Sequence, residues 1–140
     1  MLYLDTSVLV TALTNERESG RIQRWLERQS PDDIAISDWV ATEFASALSL
    51  KLRTGQMDSL ARQAASAAFA ELRSVSFRSL TVEPRHFQIA AGFVERHTIG
   101  LRAADALHVA IAADHGAMLC TRDKTMASAC ASLGVSSIEP

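Results

Sequence analysis

Five short apolar runs alternate with helical patterns along the chain, and this alternation constrains the fold more than any other feature. The runs occupy residues 2–5, 34–37, 77–82, 118–121 and 135–138. Strands separated by helices are usually joined by right-handed crossovers, so the order predicts an α/β fold with a central, mostly parallel sheet of about five strands. With 140 residues, 48% of them hydrophobic, the chain is predicted to form one domain over residues 1–140.

Composition disfavours several classes of protein. No stretch approaches the roughly 18 uninterrupted apolar residues of a membrane span, and the N-terminus lacks the basic start and cleavage site of an export signal. We therefore expect a cytoplasmic protein without a membrane segment. Cys120 and Cys130 have neither the spacing of a disulfide framework nor that of a metal site, so both are predicted to be reduced thiols in the core.

Arginines form the one regular pattern of positive charge. Four of them, from position 17 to position 28, recur at spacings of four, three and four, which would place them on one face of a helix. Such a face is either a solvated outer surface or a contact for RNA phosphates. The net charge of -2 argues mildly against broad adhesion to nucleic acid but leaves room for a local basic surface. The candidates for RNA contact are Arg17, Arg21, Arg24, Arg28, Arg102 and Arg122.

Two aspartates follow predicted strands. Asp5 ends the first apolar run, and Asp123 follows the fourth run by two residues and precedes a helix. In parallel α/β sheets, active sites gather outside the carboxyl ends of the strands. Each aspartate alone is also explained as the N-terminal cap of the next helix. Their matching positions predict that both lie at the same edge of the sheet.

Two further acids lie on apolar faces of predicted helices. Glu43 is in mid-helix, where capping cannot explain it, and its stripe is otherwise apolar. The apolar members of that stripe are Val40, Ala47 and Leu50. Asp105 lies in the opening turn of a helix, where the helix dipole favours negative charge, and its apolar neighbours also predict an inward orientation. His108, three residues further on, is interpreted as a packed and hydrogen-bonded histidine rather than a metal ligand.

Convergence of these four acids would require compensation of their charge. Two carboxylates about 4 Å apart repel by roughly 4 kcal/mol at an effective dielectric near 20, so either some take up protons or a divalent cation neutralises them. Oxygen ligands without a cysteine or histidine cluster favour Mg²⁺ or Mn²⁺ over Zn²⁺. The reaction class of such a site is metal-assisted phosphodiester hydrolysis. The hydroxyls of Thr6, Ser7 and Thr121 are placed to hold carboxylates or waters, although each of these residues is equally typical of a turn.

Four segments together resemble the PIN-domain ribonucleases, and among these the VapC-type toxins of bacterial toxin-antitoxin pairs. The segments are DTSVLV, TEFASAL, LRAADALHVAIA and TRDKTMASACASLG, and they span nearly the whole chain. The resemblance implies a three-layer α/β/α fold, one PIN-like domain, a metal-dependent endoribonuclease acting on RNA, and a VapB-like antitoxin partner. It also implies that the metal-binding acids are Asp5, Glu43, Asp105 and Asp123, supported by Ser7 and Thr121.

Two features bear on the details of that resemblance. Many relatives carry a further acid two places after the last aspartate, and Thr125 occupies that position here, which leaves a second metal ion open. PIN dimers are common in the family, so a homodimer is expected. The alanine-rich segment ARQAASAAFA allows close backbone approach and would pack either inside the fold or against a second copy.

Other classes share part of this pattern. A phospho-receiver domain has a similar size and a similar alternation of strands and helices. It would carry two adjacent acids after the first strand, where this chain has one acid and two hydroxyls. A haloacid-dehalogenase-like phosphatase would need a second aspartate at the position of Ser7. A PIN-like module that binds RNA or protein without cutting is the remaining alternative, and the four acids disfavour it.

Overall fold

Five strands form one parallel sheet in the computed structural model, which describes residues 1–140. The strands are β1 (Leu2–Leu4), β2 (Ile34–Ser37), β3 (Arg78–Leu80), β4 (Met118–Cys120) and β5 (Ser137–Ile138). They pair in the order β3-β2-β1-β4-β5, and every pairing is parallel. Each strand lies inside the apolar run predicted for it, so the predicted parallel sheet is confirmed.

Seven α-helices connect the strands and complete a three-layer α/β/α arrangement. They are α1 (Thr6–Leu13), α2 (Ser19–Glu27), α3 (Asp38–Arg53), α4 (Ser59–Val75), α5 (Pro84–Glu95), α6 (Ala103–Asp114) and α7 (Lys124–Leu133). Pro84 occupies the first position of α5, where its missing N–H costs no helical hydrogen bond. Gly134 ends α7 with a left-handed φ of 72°, which glycine adopts without steric cost. None of the helices combines the length and apolarity that a bilayer crossing requires.

The hydrophobic core is a single cluster of 29 buried residues with α6 at its centre. Residues 106–112 of this helix are all buried, as expected for a helix that is apolar around its whole circumference. Asp105 precedes this stretch and therefore lies at the edge of the core. Cys120 and Cys130 are also buried and carry free thiols, which confirms the prediction for both.

The strand order excludes the phospho-receiver alternative. Receiver domains have the doubly wound order 2-1-3-4-5, in which the third strand lies beside the first. Here the third strand lies at the edge, beside β2. The edge of the sheet at which Asp5 and Asp123 were predicted to lie is formed by the carboxyl ends of β1, β2 and β4. Helices α1, α3 and α7 begin there.

The alanine-rich segment lies on the surface of the fold. Only Ala65 and Phe69 of α4 are buried, and Leu60 and Val75 near its ends are more than three-quarters exposed. Phe69 stacks on Phe44 of α3, with ring centroids 4.5 Å apart. Packing of α4 inside the fold is therefore limited to one narrow stripe.

Candidate active site

The four predicted acids line one pocket at the carboxyl edge of the sheet. Asp5 follows β1, Glu43 lies in α3, Asp105 in the first turn of α6, and Asp123 directly before α7. The pocket has a volume of about 330 Å³. Its other lining residues are Thr6, Ser7, Ser46, Ala47, Leu50, His108 and Met126. The fold therefore brings together side chains from four separate parts of the chain.

Asp5 is both a helix cap and a member of this pocket. Its side chain is buried, with 2% of its surface exposed. Oδ1 accepts hydrogen bonds from the Val8 N–H (3.2 Å) and the Ser7 hydroxyl (2.6 Å), and Oδ2 accepts one from Thr121 (2.6 Å). Burial raises the pKa of Asp5, and the hydrogen bonds from Ser7 and Thr121 oppose that rise. Capping thus occupies Oδ1 and leaves Oδ2 with room for one more partner.

Hydrogen bonds join Asp5 to the turn that carries Asp123. The Thr121 hydroxyl, which donates to Asp5, also accepts the Asp123 N–H at 3.0 Å. Asp123 caps α7 through Oδ1, which accepts the N–H groups of Thr125 (2.7 Å) and Met126 (3.0 Å). No hydrogen bond in the structure reaches Asp123 Oδ2. Both strand-end aspartates therefore cap a helix with one oxygen and offer the other to the pocket.

Glu43 is held through one of its two oxygens. Its Oε2 accepts hydrogen bonds from the Thr6 hydroxyl and from His108 Nε2, each at 2.6 Å, while no hydrogen bond reaches Oε1. Burial favours a higher pKa for Glu43, but the hydrogen bond and charge of His108, together with Thr6, outweigh it and lower the pKa. The carboxylate, with 23% of its side chain exposed, is therefore kept ionised at the pocket wall.

The apolar stripe expected around Glu43 is partly wrong. The buried stripe of α3 consists of Val40, Phe44 and Leu48. Leu50, which was expected to share the core stripe, is 53% exposed and lines the pocket beside Ala47. Glu43 therefore faces the pocket because it borders the core stripe, one position before Phe44, not because it belongs to that stripe.

Asp105 is the acid most affected by the other carboxylates. Burial is the largest cause that raises its pKa, followed by the charge of Asp123, and Glu43 adds to the rise. For Asp5, burial alone raises the pKa. Removal from water is therefore a larger cause of the raised pKa values of Asp5 and Asp105 than repulsion between the acids.

The spacing of the acids limits how they could share an ion. No three of them bring carboxylate oxygens within 4.8 Å of one another. Two ligands of one Mg²⁺, each at about 2.1 Å, cannot be more than about 4.2 Å apart. An ion in this arrangement would thus touch at most two of the acids directly and reach the others through water. Such partly hydrated binding is the usual habit of Mg²⁺, so the all-oxygen donor set fits a hard divalent ion.

His108 has a role at this site that the sequence did not reveal. It is buried and hydrogen-bonded, which confirms the interpretation of a packed histidine, but its partner is Glu43, 65 positions away. Its Nδ1 lies 3.0 Å from the Tyr3 hydroxyl, which lies 2.7 Å from the Ser37 hydroxyl. No short-range spacing could have revealed these contacts, because the partners of His108 lie 65 and 105 positions away along the chain.

None of the candidate arginines lines the pocket. The expected helical stripe of four is wrong for Arg17, because α2 begins at Ser19, and Arg28 lies just beyond its last residue. Arg122 is half-buried and pairs with Glu18, which also binds Arg21. The arginines that are exposed to solvent are Arg17, Arg21, Arg24, Arg28 and Arg102. Contact of any of these side chains with RNA stays a prediction.

A second group of titratable side chains lies away from this pocket. His86, Asp114 and His115 bring nitrogen and oxygen atoms within 4.8 Å of one another. However, His86 Nδ1 accepts the Glu83 N–H at 2.9 Å, so the proton of the neutral ring is on Nε2, which donates to Asp114 at 3.0 Å. A protonated nitrogen has no lone pair for a metal. Arg85 also binds Asp114, at 2.9 Å, so the group serves to close α5 onto α6.

The fold and the acid pocket together define a class of nuclease-like α/β proteins, and sequence comparison identifies the family. A model of the PIN domain matches residues 2–131, so the chain belongs to the PIN domain family. It is 31% identical to Ribonuclease VapC46 of Mycobacterium tuberculosis over 142 residues, which cover 99% of this chain and 97% of that protein.

Solved structures agree with this assignment at the level of the fold. VapC20 of Mycobacterium tuberculosis, described as a Sarcin-Ricin loop cleaving toxin, superposes with a TM-score of 0.75 at 20% identity, over 100% of both chains. FitAcB from Neisseria gonorrhoeae superposes with a TM-score of 0.72 at 22% identity, over 100% of this chain and 98% of the other. The three-layer α/β/α fold implied by the PIN resemblance is confirmed.

Proposed function

We propose that this chain is a metal-dependent endoribonuclease and the toxin of a VapBC-type toxin-antitoxin pair. The observation that carries the proposal is the convergence of Asp5, Glu43, Asp105 and Asp123 on one pocket. One oxygen is free on Glu43 and one on Asp123, and Oδ2 of Asp5 can accept one further bond besides that from Thr121. Its relative VapC46, at 31% identity, is described as a ribonuclease, which supports RNA as the substrate.

These four acids are the proposed binding site for Mg²⁺ or Mn²⁺. When bound, such an ion supplies charge neutralisation and polarisation of the scissile phosphate and makes water a stronger nucleophile at neutral pH. The substrate polyanion could not approach four carboxylates without that compensation. Because the position two places after Asp123 is occupied by Thr125, and no three of the acids bring carboxylate oxygens within 4.8 Å of one another, the number of ions is left open.

The neighbouring side chains of the pocket are proposed to fix the acids in place. Ser7 and Thr121 hold Asp5, and Thr6 holds Glu43, each at 2.6 Å. Carboxylates held in this way need no reorganisation when the substrate arrives, which is the usual source of electrostatic catalysis. Hydrolysis then adds water across one P–O bond of the RNA backbone, and the acids orient that water on the phosphorus.

The proposal extends to the setting in which the chain acts. As one PIN-like unit over residues 1–140, it would work in the cytoplasm, where RNA is available, and a VapB-like antitoxin would keep the pocket closed. A homodimer is proposed as well, and the exposed small side chains of α4 would permit close approach of a second copy.

The test is RNA cleavage by the purified full-length chain, freed of any antitoxin. With Mn²⁺ present we expect cleavage of at least one RNA among pools of tRNA, ribosomal RNA and messenger RNA, and we expect chelation to stop it. Asp123→Asn serves as the inactive control, because it keeps a capping oxygen for α7 while removing the charge. A protein that binds RNA but cleaves none of the pools would favour the non-cleaving PIN-like module.

A further inference from the structure

We propose that His108 is a positioning residue that fixes which oxygen of Glu43 faces the pocket. It does so as part of the buried histidine network, which we define as Ser37, Tyr3 and His108. The network occupies Oε2 and leaves Oε1 as the oxygen offered to a metal ion or its water. The inference rests on the proposed function in one respect, that Glu43 belongs to the metal site.

The donor in the hydrogen bond between His108 and Glu43 is the same whether the imidazole ring is neutral or charged. An ionised carboxylate can only accept hydrogen bonds, so Nε2 of His108 must carry a hydrogen and donate it across the 2.6 Å separation. Thr6 donates to the same oxygen at 2.6 Å. Two donors satisfy the two lone pairs of Oε2, and Oε1 is the only acceptor of Glu43 that is left.

The ring of His108 is held from behind by the rest of the network. Its Nδ1 lies 3.0 Å from the Tyr3 hydroxyl, and that hydroxyl lies 2.7 Å from Ser37 Oγ. All three residues are buried, with at most 1% of their surface exposed. Burial raises the pKa of Tyr3, so its hydroxyl keeps its proton. The hydroxyl can donate to Nδ1 or accept from it, and the network therefore holds the ring in either protonation state.

The elements that carry the network explain why Glu43 needs it. Glu43 lies in the second turn of α3, and a glutamate side chain has several rotatable bonds whose freedom opposes a single orientation. Tyr3 belongs to the central strand β1, Ser37 ends β2, and His108 lies in the buried part of α6. The orientation of Glu43 is thus set by the rigid centre of the fold.

His86 offers a matched control inside the same chain. It too is buried, its Nε2 lies 3.0 Å from Asp114, and its Nδ1 is occupied by the Glu83 N–H. Asp114, however, faces Arg85 and lies outside the acid pocket. Loss of His86 should therefore disturb packing to a similar extent without touching the metal site.

The experiment compares four full-length proteins: wild type, His108→Leu, His108→Gln and His86→Leu. Calorimetry measures their affinity for Mn²⁺, and thermal unfolding in EDTA measures their melting temperature without metal. We expect His108→Leu to weaken Mn²⁺ binding by about 10- to 100-fold, the usual effect of losing a group that orients a ligand. His108→Gln should restore most of that affinity, because its amide N–H can replace the Nε2 donor. His86→Leu should lower the melting temperature and leave the affinity unchanged.

The outcomes separate the inference from the proposed function. Wild-type protein that does not bind Mn²⁺ would overturn the metal site itself and the inference with it. Wild type and His108→Leu binding Mn²⁺ equally well would overturn the inference alone. If His108→Leu does not fold, Tyr3→Phe takes its place: it removes only the hydroxyl behind the ring, keeps the Nε2 donor, and should weaken Mn²⁺ binding relative to wild type and to His86→Leu. Wild-type affinity in Tyr3→Phe would overturn the role of the network.

Discussion

The four acids of the pocket fall into two pairs that are held in different ways. Asp5 and Glu43, the fixed pair, receive hydrogen bonds from side chains on other turns and elements. In the open pair, Asp123 accepts only the backbone N–H groups of Thr125 and Met126, and no side chain donates a hydrogen bond to Asp105. One pair is thus positioned by tertiary structure, and the other by the helix it precedes or begins.

This difference indicates different roles for the two pairs in binding an ion and its waters. The fixed pair has few free lone pairs and a defined orientation, as expected for groups that establish where an ion is held. The open pair is partly solvated and keeps more free acceptor positions, as expected for groups that bind exchangeable waters. Substitutions around the fixed pair should affect stability and activity together, whereas substitutions in the open pair should affect activity with little loss of stability.

The largest expected effect is loss of cleavage on neutralising the open pair. Asp105→Asn should reduce Mn²⁺-dependent RNA cleavage by at least about 100-fold, because a metal site supplies several kcal/mol of charge stabilisation and each 1.36 kcal/mol is tenfold in rate. The chain should still fold, since no side chain donates to Asp105. The measurement is the single-turnover rate on an RNA that the wild type cleaves.

Asp114→Asn is the matched control for that substitution. Asp114 lies at the other end of α6 and contacts His86 and Arg85 on the surface away from the pocket. Its replacement should leave the cleavage rate unchanged. Wild-type cleavage by Asp105→Asn, or an equal loss with Asp114→Asn, would contradict the assignment of the open pair.

The contrast between the pairs also explains how much of the site could be predicted from the sequence. The open pair and Asp5 are placed by local rules: each starts a helix at the end of a strand or in a first turn, and short-range patterns report such positions. The five strands followed from the same kind of signal. The caps expected for Asp5 and Asp123 and their place in the pocket turned out to be compatible, because one oxygen serves each role.

The support of Glu43 could not be predicted, because it depends on contacts across the fold. Thr6 is 37 positions from Glu43 and His108 is 65 positions away, so no local spacing records either contact. The helical period placed Glu43 on the core stripe, although it only borders that stripe, and Leu50 was assigned to the core although it lines the pocket. On a helix with 3.6 residues per turn, residues three positions apart lie only about 60° from each other, so the period alone does not decide which of two neighbouring stripes is buried.

A smaller effect, on the free energy of unfolding, is expected when a hydroxyl that donates to the fixed pair is removed. Thr121→Val keeps the shape of the side chain but leaves Asp5 Oδ2 and the Asp123 N–H without their partner. A buried polar group without a partner costs about 1–3 kcal/mol, so the free energy of unfolding should fall by about that amount. Denaturant unfolding in EDTA measures it.

Thr125→Val tests the other side of the same comparison. The Thr125 side chain is exposed and makes no hydrogen bond, and only its backbone N–H contacts Asp123. We expect a change within about 0.5 kcal/mol, as for most surface substitutions. A loss for Thr125→Val as large as that for Thr121→Val would remove the distinction between the pairs.

The smallest expected effect is a pH-dependent difference in stability without metal. The folded pKa of Asp105 is raised, so the folded chain binds this proton more tightly than the unfolded chain, and the group lowers stability increasingly as pH rises above its unfolded value near 3.9. Asp105→Asn removes that penalty. In EDTA, its melting temperature should exceed that of the wild type at pH 8, and the difference should shrink toward pH 4.

Because Asp105 is partly solvated, the difference in melting temperature should be modest. Mg²⁺ should narrow or reverse it by stabilising the wild type more. A difference that stays constant between pH 4 and pH 8 would mean that the Asp105 carboxylate is not under strain in the folded protein, and the open pair would then lose its electrostatic link to the rest of the pocket.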